Sequence, residues 1–112
     1  MSDRREIDPH EAVDFIYRQA PKYAQAKAER VYLEEFRKSK KALLMKACGE
    51  SSVAAQEREA YSHADYIALL EGLKVAVEAE ETLRWGLVAA QARVEIWRTE
   101  SANNRKLDRA AA

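Results

Sequence analysis

The sequence predicts an all-α protein, a long antiparallel helical hairpin of coiled-coil character with a short N-terminal helix, and three observations predict it. From Ser62 to about Leu107 there is no proline, and apolar residues stand at Leu69, Leu73, Ala76, Leu83, Leu87, Ala90, Val94 and Trp97. These positions fall on an alternation of four and three, the spacing of a coiled-coil seam. Alanine, glutamate, lysine, arginine and leucine dominate, against three glycines and two prolines, which is the composition of long helices. At about 1.5 Å per residue the final stretch would span roughly 65 Å, more than a compact domain of this size is wide. An elongated molecule is therefore expected.

The first helix is announced by Asp8-Pro9-His10-Glu11: a cap, a proline at the first helical position, and a glutamate three residues after the cap. Val13, Ile16 and Tyr17 share one side of it, with Phe15 off that line. Ala20-Pro21 then predicts a break or kink, because proline removes a donor and restricts its predecessor. A second helix is expected from about residue 22 to residue 48, closed by Gly49 in the left-handed conformation. Its apolar side would comprise Ala28, Val31, Tyr32, Phe36, Leu43, Leu44 and Met45. Ser51-Ser52 would cap a short segment over residues 53–60, and Ser62 with Asp65 forms a second capping box at the start of the long helix. The short connection makes the two long helices antiparallel, with the excess length near Trp97 to Leu107 beside the first helix.

The 112 residues make one helical domain, with residues 1–7 and 108–112 read as flexible termini. Nineteen basic residues balance nineteen acidic ones, so the overall field selects neither nucleic acid nor an anionic membrane. Cys48 is the single cysteine, which excludes an intrachain disulfide and a thiolate zinc cage. No apolar run reaches signal-peptide or transmembrane length, so the expectation is a cytoplasmic protein without a membrane partner.

Two surface patterns predict self-association. Gly72, Ala79 and Gly86 are seven residues apart and form a strip of small side chains that lets another backbone approach. Trp85, Val88 and Ile96, with Ile67, Leu70 and Val77, fall on a further side of the helical wheel that a simple hairpin leaves wet. A dimer or larger homo-oligomer would cover it.

Glu80 sits on the seam where an apolar residue belongs, and a carboxylate there needs a cation. Arg37, Lys38, Lys40 and Lys41 are the expected partners. The competing reading is a metal site built from Glu34, Glu35, Glu78 and Glu81. Glu78-x-x-Glu81 resembles half of the metal motif of all-helical nucleotide pyrophosphatases. The second acidic pair of that motif is missing downstream, as is the Glu-x-x-His of di-iron bundles. His10 and His63 stand near helix starts with no nucleophile beside them in sequence, and Cys48 reads as a packing residue. No catalytic residue, metal or cofactor is assigned. Two basic clusters, Arg37, Lys38, Lys40 and Lys41 with Lys46 in one and Arg93, Arg98, Arg105, Lys106 and Arg109 in the other, offer a nucleic-acid contact, with Trp97 as a stacking platform.

The segments VYLEEFRKSKKALLM, SSVAAQEREAYSHADYIALLEGL and LRWGLVAAQARVEIWRTESANNR together resemble small helical proteins encoded by tailed phages and prophages, over most of the chain from about Asp8 to Arg109. That resemblance implies a place among early genes for recombination, replication or defence evasion, in the bacterial host cytoplasm. The sequence reading is thus a non-enzymatic accessory protein, a self-associating helical hairpin that binds a protein partner. The alternatives are nucleic-acid binding through the basic clusters and a carboxylate metal-dependent nucleotide hydrolase.

Overall fold

The structure is a computed structural model and describes residues 6–111. Among these residues the protein is all-α: α1 (Pro9–Ala47), α2 (Val53–Ser62) and α3 (Ala64–Ala111), with no strand. The expected end at Leu107 is thus four residues short. Of the two termini read as flexible, residues 1–5 and 112 lie outside the described residues, while 108–111 belong to α3.

The first cap forms as read. Asp8 Oδ1 accepts from the backbone N–H of His10 at 2.9 Å and of Glu11 at 3.3 Å, satisfying two donors that a helix start leaves open. The break at Pro21 does not occur: Pro21 lies inside α1, so there is no separate short N-terminal helix. Proline denies the carbonyl of Tyr17 its helical donor, but both residues are exposed, Tyr17 by 82%. Water can serve the orphaned oxygen, and the helix continues across the missing rung.

Gly49 also departs from expectation, since no described glycine has a positive φ. The end of α1 is closed without it. The Cys48 N–H donates to the Leu44 carbonyl at 3.1 Å, and the Cys48 thiol to the Met45 carbonyl at 3.1 Å. Ser52 then caps α2, its Oγ accepting from the Ala55 N–H at 3.1 Å. Ser62 does not cap α3. Its hydroxyl turns back to the Arg58 carbonyl at 2.7 Å, ending α2, and His63 caps instead, with Nδ1 accepting from the Asp65 N–H at 3.0 Å.

The chain divides into two compact units, residues 24–81 in one and the described residues up to Tyr23 with those from Thr82 onward in the other. In the first, Arg30 of α1 meets Glu80 of α3 and Lys40 of α1 meets Asp65 of α3 at 3.6 Å, so partners descend α3 as they ascend α1. The helices are antiparallel there. Ala60 of α2 and Tyr66 and Ala76 of α3 are buried, with Leu69 and Leu73 half-buried, and the Tyr61 ring meets Tyr66 edge-on at 5.3 Å. The apolar side expected of α1 turns inward only in part: Phe36, Leu44 and Met45 are half-buried, as are Ala26, Arg30, Leu33, Arg37 and Lys40, while Ala28, Val31, Tyr32 and Leu43 are exposed. Charge pairing across the seam decides which face turns in.

In the second unit Ala12 and Ala90 are buried, and Phe15, Leu83, Leu87 and Val94 are half-buried. The seam read from the sequence holds as far as Val94. Trp97 is 40% exposed, because α1 contributes residues 9–23 to this unit whereas α3 contributes 82–111, twice the length.

Replacing Pro21 by alanine restores a helical donor at an exposed site. Pro21→Ala raises unfolding stability by about 3 kcal/mol in denaturant titration, and an unchanged or lower value would contradict a continuous α1.

Candidate functional site

The most organised polar group is a fork in the unit formed by residues 24–81. Glu80 is 5% exposed. Its Oε2 accepts from Arg30 Nε at 2.5 Å and its Oε1 from Arg30 Nη2 at 2.9 Å, while Arg30 Nη1 donates to Glu34 Oε2 at 3.0 Å. The planar guanidinium matches the carboxylate with two parallel bonds, a geometry lysine cannot reproduce. The hydrogen bond to Glu80 holds the Arg30 guanidinium above its ordinary range, outweighing the desolvation that lowers it. Arg30 stands two turns before Arg37, the first cation expected to hold Glu80, and on the same side of α1. The sequence selected the right face and the wrong register. The i, i+4 pair Arg30–Glu34, on a line with Leu33 and Arg37, is the signal that would have found it.

The other expected cations have their own partners. Lys38 pairs with Glu35 at 3.4 Å, Lys40 with Asp65 at 3.6 Å and Lys41 with Glu57 at 3.6 Å. Lys41 Nζ also lies 4.7 Å from the centre of the Tyr61 ring. Its ammonium is held above the usual lysine value first by Tyr61, then, against desolvation, by Glu57. Two of these pairs join helices, so Lys40 and Lys41 serve the fold before any phosphate. Among the described residues no group of three or more His, Cys, Asp or Glu side chains is gathered to hold a metal ion, and Glu34 and Glu35 are set against cations.

The small-residue strip is divided. Gly86 faces the Phe15 ring, where an added Cβ would lie 3.7 Å away, so this glycine serves packing inside the chain. Gly72 and Ala79 are exposed, and a Cβ on Gly72 would meet nothing within 4 Å. The second pattern is more coherent. Trp85, Val88 and Ile96 are 58%, 39% and 48% exposed, with the exposed Ala92 between the last two. Steps of three, four and four put all four on one side of α3, opposite the Leu83–Leu87–Val94 seam. The Arg84 guanidinium covers part of the Trp85 ring at 4.5 Å.

A cavity of about 370 Å³ lies at the α1 end, lined by Leu44, Cys48, Glu50, Glu59 and His63 among others. His63 Nδ1 is committed as an acceptor to the Asp65 N–H, which leaves its proton on Nε2, and the Cys48 thiol is committed to Met45. These bonds organise backbone at a chain reversal. No described helix is long and apolar enough to cross a membrane. No family model, no curated protein and no solved structure matches the chain.

Two predictions follow from this geometry. Arg30→Leu lowers the thermal midpoint more than Glu80→Leu, since it strips the fork from a buried carboxylate whereas its counterpart leaves Arg30 with Glu34; the double Leu variant recovers most of the loss. A double variant as unstable as Arg30→Leu alone would refute that account. Gly72→Ala, made in open space, stabilises by about 1 kcal/mol in denaturant titration without changing the solution mass. A drop in mass would show a second backbone lying against Gly72.

Proposed function

We propose that this protein is a non-enzymatic helical accessory protein that self-associates through the outer side of α3 and presents its remaining surface to a protein partner. The observation that carries this reading is the line Trp85, Val88, Ala92 and Ile96, exposed on the side of α3 that its own seam does not use. Soluble proteins bury such residues or cover them with a partner, and a tryptophan beside aliphatic side chains is the kind of anchor that dominates interfaces. Within the described residues no large side chain is fully buried, while sixteen large apolar ones are exposed. A chain with so little interior has most to gain from association.

A second face supports a partner besides another copy. Val31, Tyr32 and Leu43 stand exposed on the outer side of α1, in the unit formed by residues 24–81, with the Tyr32 and Phe36 rings stacked 5.8 Å apart. That side was freed by the inward turn of the charged line. The biological setting we propose, DNA recombination, replication or defence evasion in a tailed phage, rests on the resemblance of three sequence segments. It places the protein in the bacterial host cytoplasm.

The solution mass tests the assembly. Light scattering on a size-exclusion column gives a dimer or larger species for the natural chain, and Trp85→Glu with Ile96→Glu gives a monomer of unchanged helix content. A natural chain that elutes as a monomer at every concentration up to about 100 µM, a weak-dimer affinity of about 5.5 kcal/mol, would reject self-association through this face.

A further inference from the structure

The last turns of α3 carry a charge pattern that neither the seam nor the apolar face uses. Residues 103–111 are all exposed, in the unit where α3 has twice the length that α1 supplies. Arg98, Arg105 and Arg109 follow one another at seven and four residues. On a helix these steps keep them within about 40° of one line, at rises of roughly 10 and 6 Å. Lys106 flanks the line. Arg105, Lys106 and Arg109 make no ion pair among the described residues. Arg98 meets Glu95 at 3.4 Å, but those side chains are 68% and 66% exposed, and such a pair offsets little in water. Asp108 flanks the line as closely on the other side, and Glu100 lies across the helix from it.

We propose that this arginine line docks on the phosphodiester backbone of a nucleic acid. Three cations that face the same way along one edge of α3 complement a polyanion, and arginine binds phosphate with two parallel bonds. A membrane surface would need a broad apolar face beside the charge, and a protein interface an apolar anchor. From Arg98 onward Leu107 is the one large apolar side chain, and Trp97, beside Arg98 and 40% exposed, can stack on a base. This site is separate from the Trp85–Ile96 line, so it stands or falls independently of self-association.

Fluorescence anisotropy tests it with a labelled 20-nucleotide single strand and the matching duplex, at 50 and 200 mM salt. With three to four phosphates neutralised, affinity falls between those salts by roughly 20- to 50-fold for the single strand and roughly 40- to 150-fold for the duplex. Charge reversal of Arg98, Arg105 and Arg109 to glutamate weakens binding at least tenfold with unchanged circular dichroism. Reversal of the exposed Lys22, Lys27 and Lys74, which alters net charge equally, weakens it less than threefold. Binding of one form or of both supports the proposal and identifies the strandedness. It is overturned by no binding of either oligonucleotide at 50 mM salt, by equal loss from the two charge reversals, or by equal competition from polyglutamate of matched charge.

Discussion

A carboxylate placed where a coiled-coil seam calls for an apolar residue sets the terms for the unit formed by residues 24–81. The neighbours of Glu80 on that seam within the unit are small or only half-buried: Ala76 is covered, while Leu69 and Leu73 are partly wet. Alanines let helices lie close but present nearly identical knobs at each turn, so sliding by a heptad would change little in apolar contact. The Arg30 fork supplies what the alanines lack, because a buried carboxylate displaced by a heptad would lose its guanidinium. Lys40 with Asp65 and Lys41 with Glu57 add two single ion pairs to partly exposed carboxylates nearer the chain reversal. Polar groups select the alignment and small side chains permit it.

The inward turn of charge has an outward counterpart. A helix has one circumference, and once Arg30, Arg37 and Lys40 occupy the side facing α3, Val31, Tyr32 and Leu43 are left facing water. On α3 the seam is apolar and the opposite side is apolar as well, so Trp85, Val88 and Ile96 have no place inside. The neutral formal charge of the chain conceals a similar segregation. Arg30, Lys40 and Lys41 of α1 are matched to carboxylates of α2 and α3, whereas Arg105, Lys106 and Arg109 make no ion pair among the described residues.

The helical class, the antiparallel pairing within residues 24–81, the Asp8 and Ser52 caps and the α3 seam as far as Val94 were legible because each rests on local spacing or local chemistry. The inner face of α1 was legible only in part. Hydrophobic periodicity pointed to Val31 and Tyr32, and it could not weigh a cation on α1 against a carboxylate fifty residues away. Arg30 was overlooked for the same reason: its helical face is written in the sequence, but its register depends on the length of the turns between α1 and α3. Ser62 and His63 show the limit at atomic scale. Either residue could cap a helix, and only the direction of the preceding turn decides which one does. At the surface, the Trp85, Val88 and Ile96 side was readable from the wheel, whereas Gly86 looked like its neighbour Gly72 until Phe15 was found against it.

The missing rung at Pro21 bears on how the molecule comes apart. Proline falls two residues before the division between the compact units, so α1 is covalently continuous there but lacks one of the hydrogen bonds that make a helix cooperative. Opening of residues 9–20 breaks one bond fewer at its boundary than an equal stretch elsewhere in α1. Fraying can therefore stop at Pro21 without disturbing the Arg30 fork, and the protein carries along its first helix a weak seam between foldons, where local unfolding begins and ends.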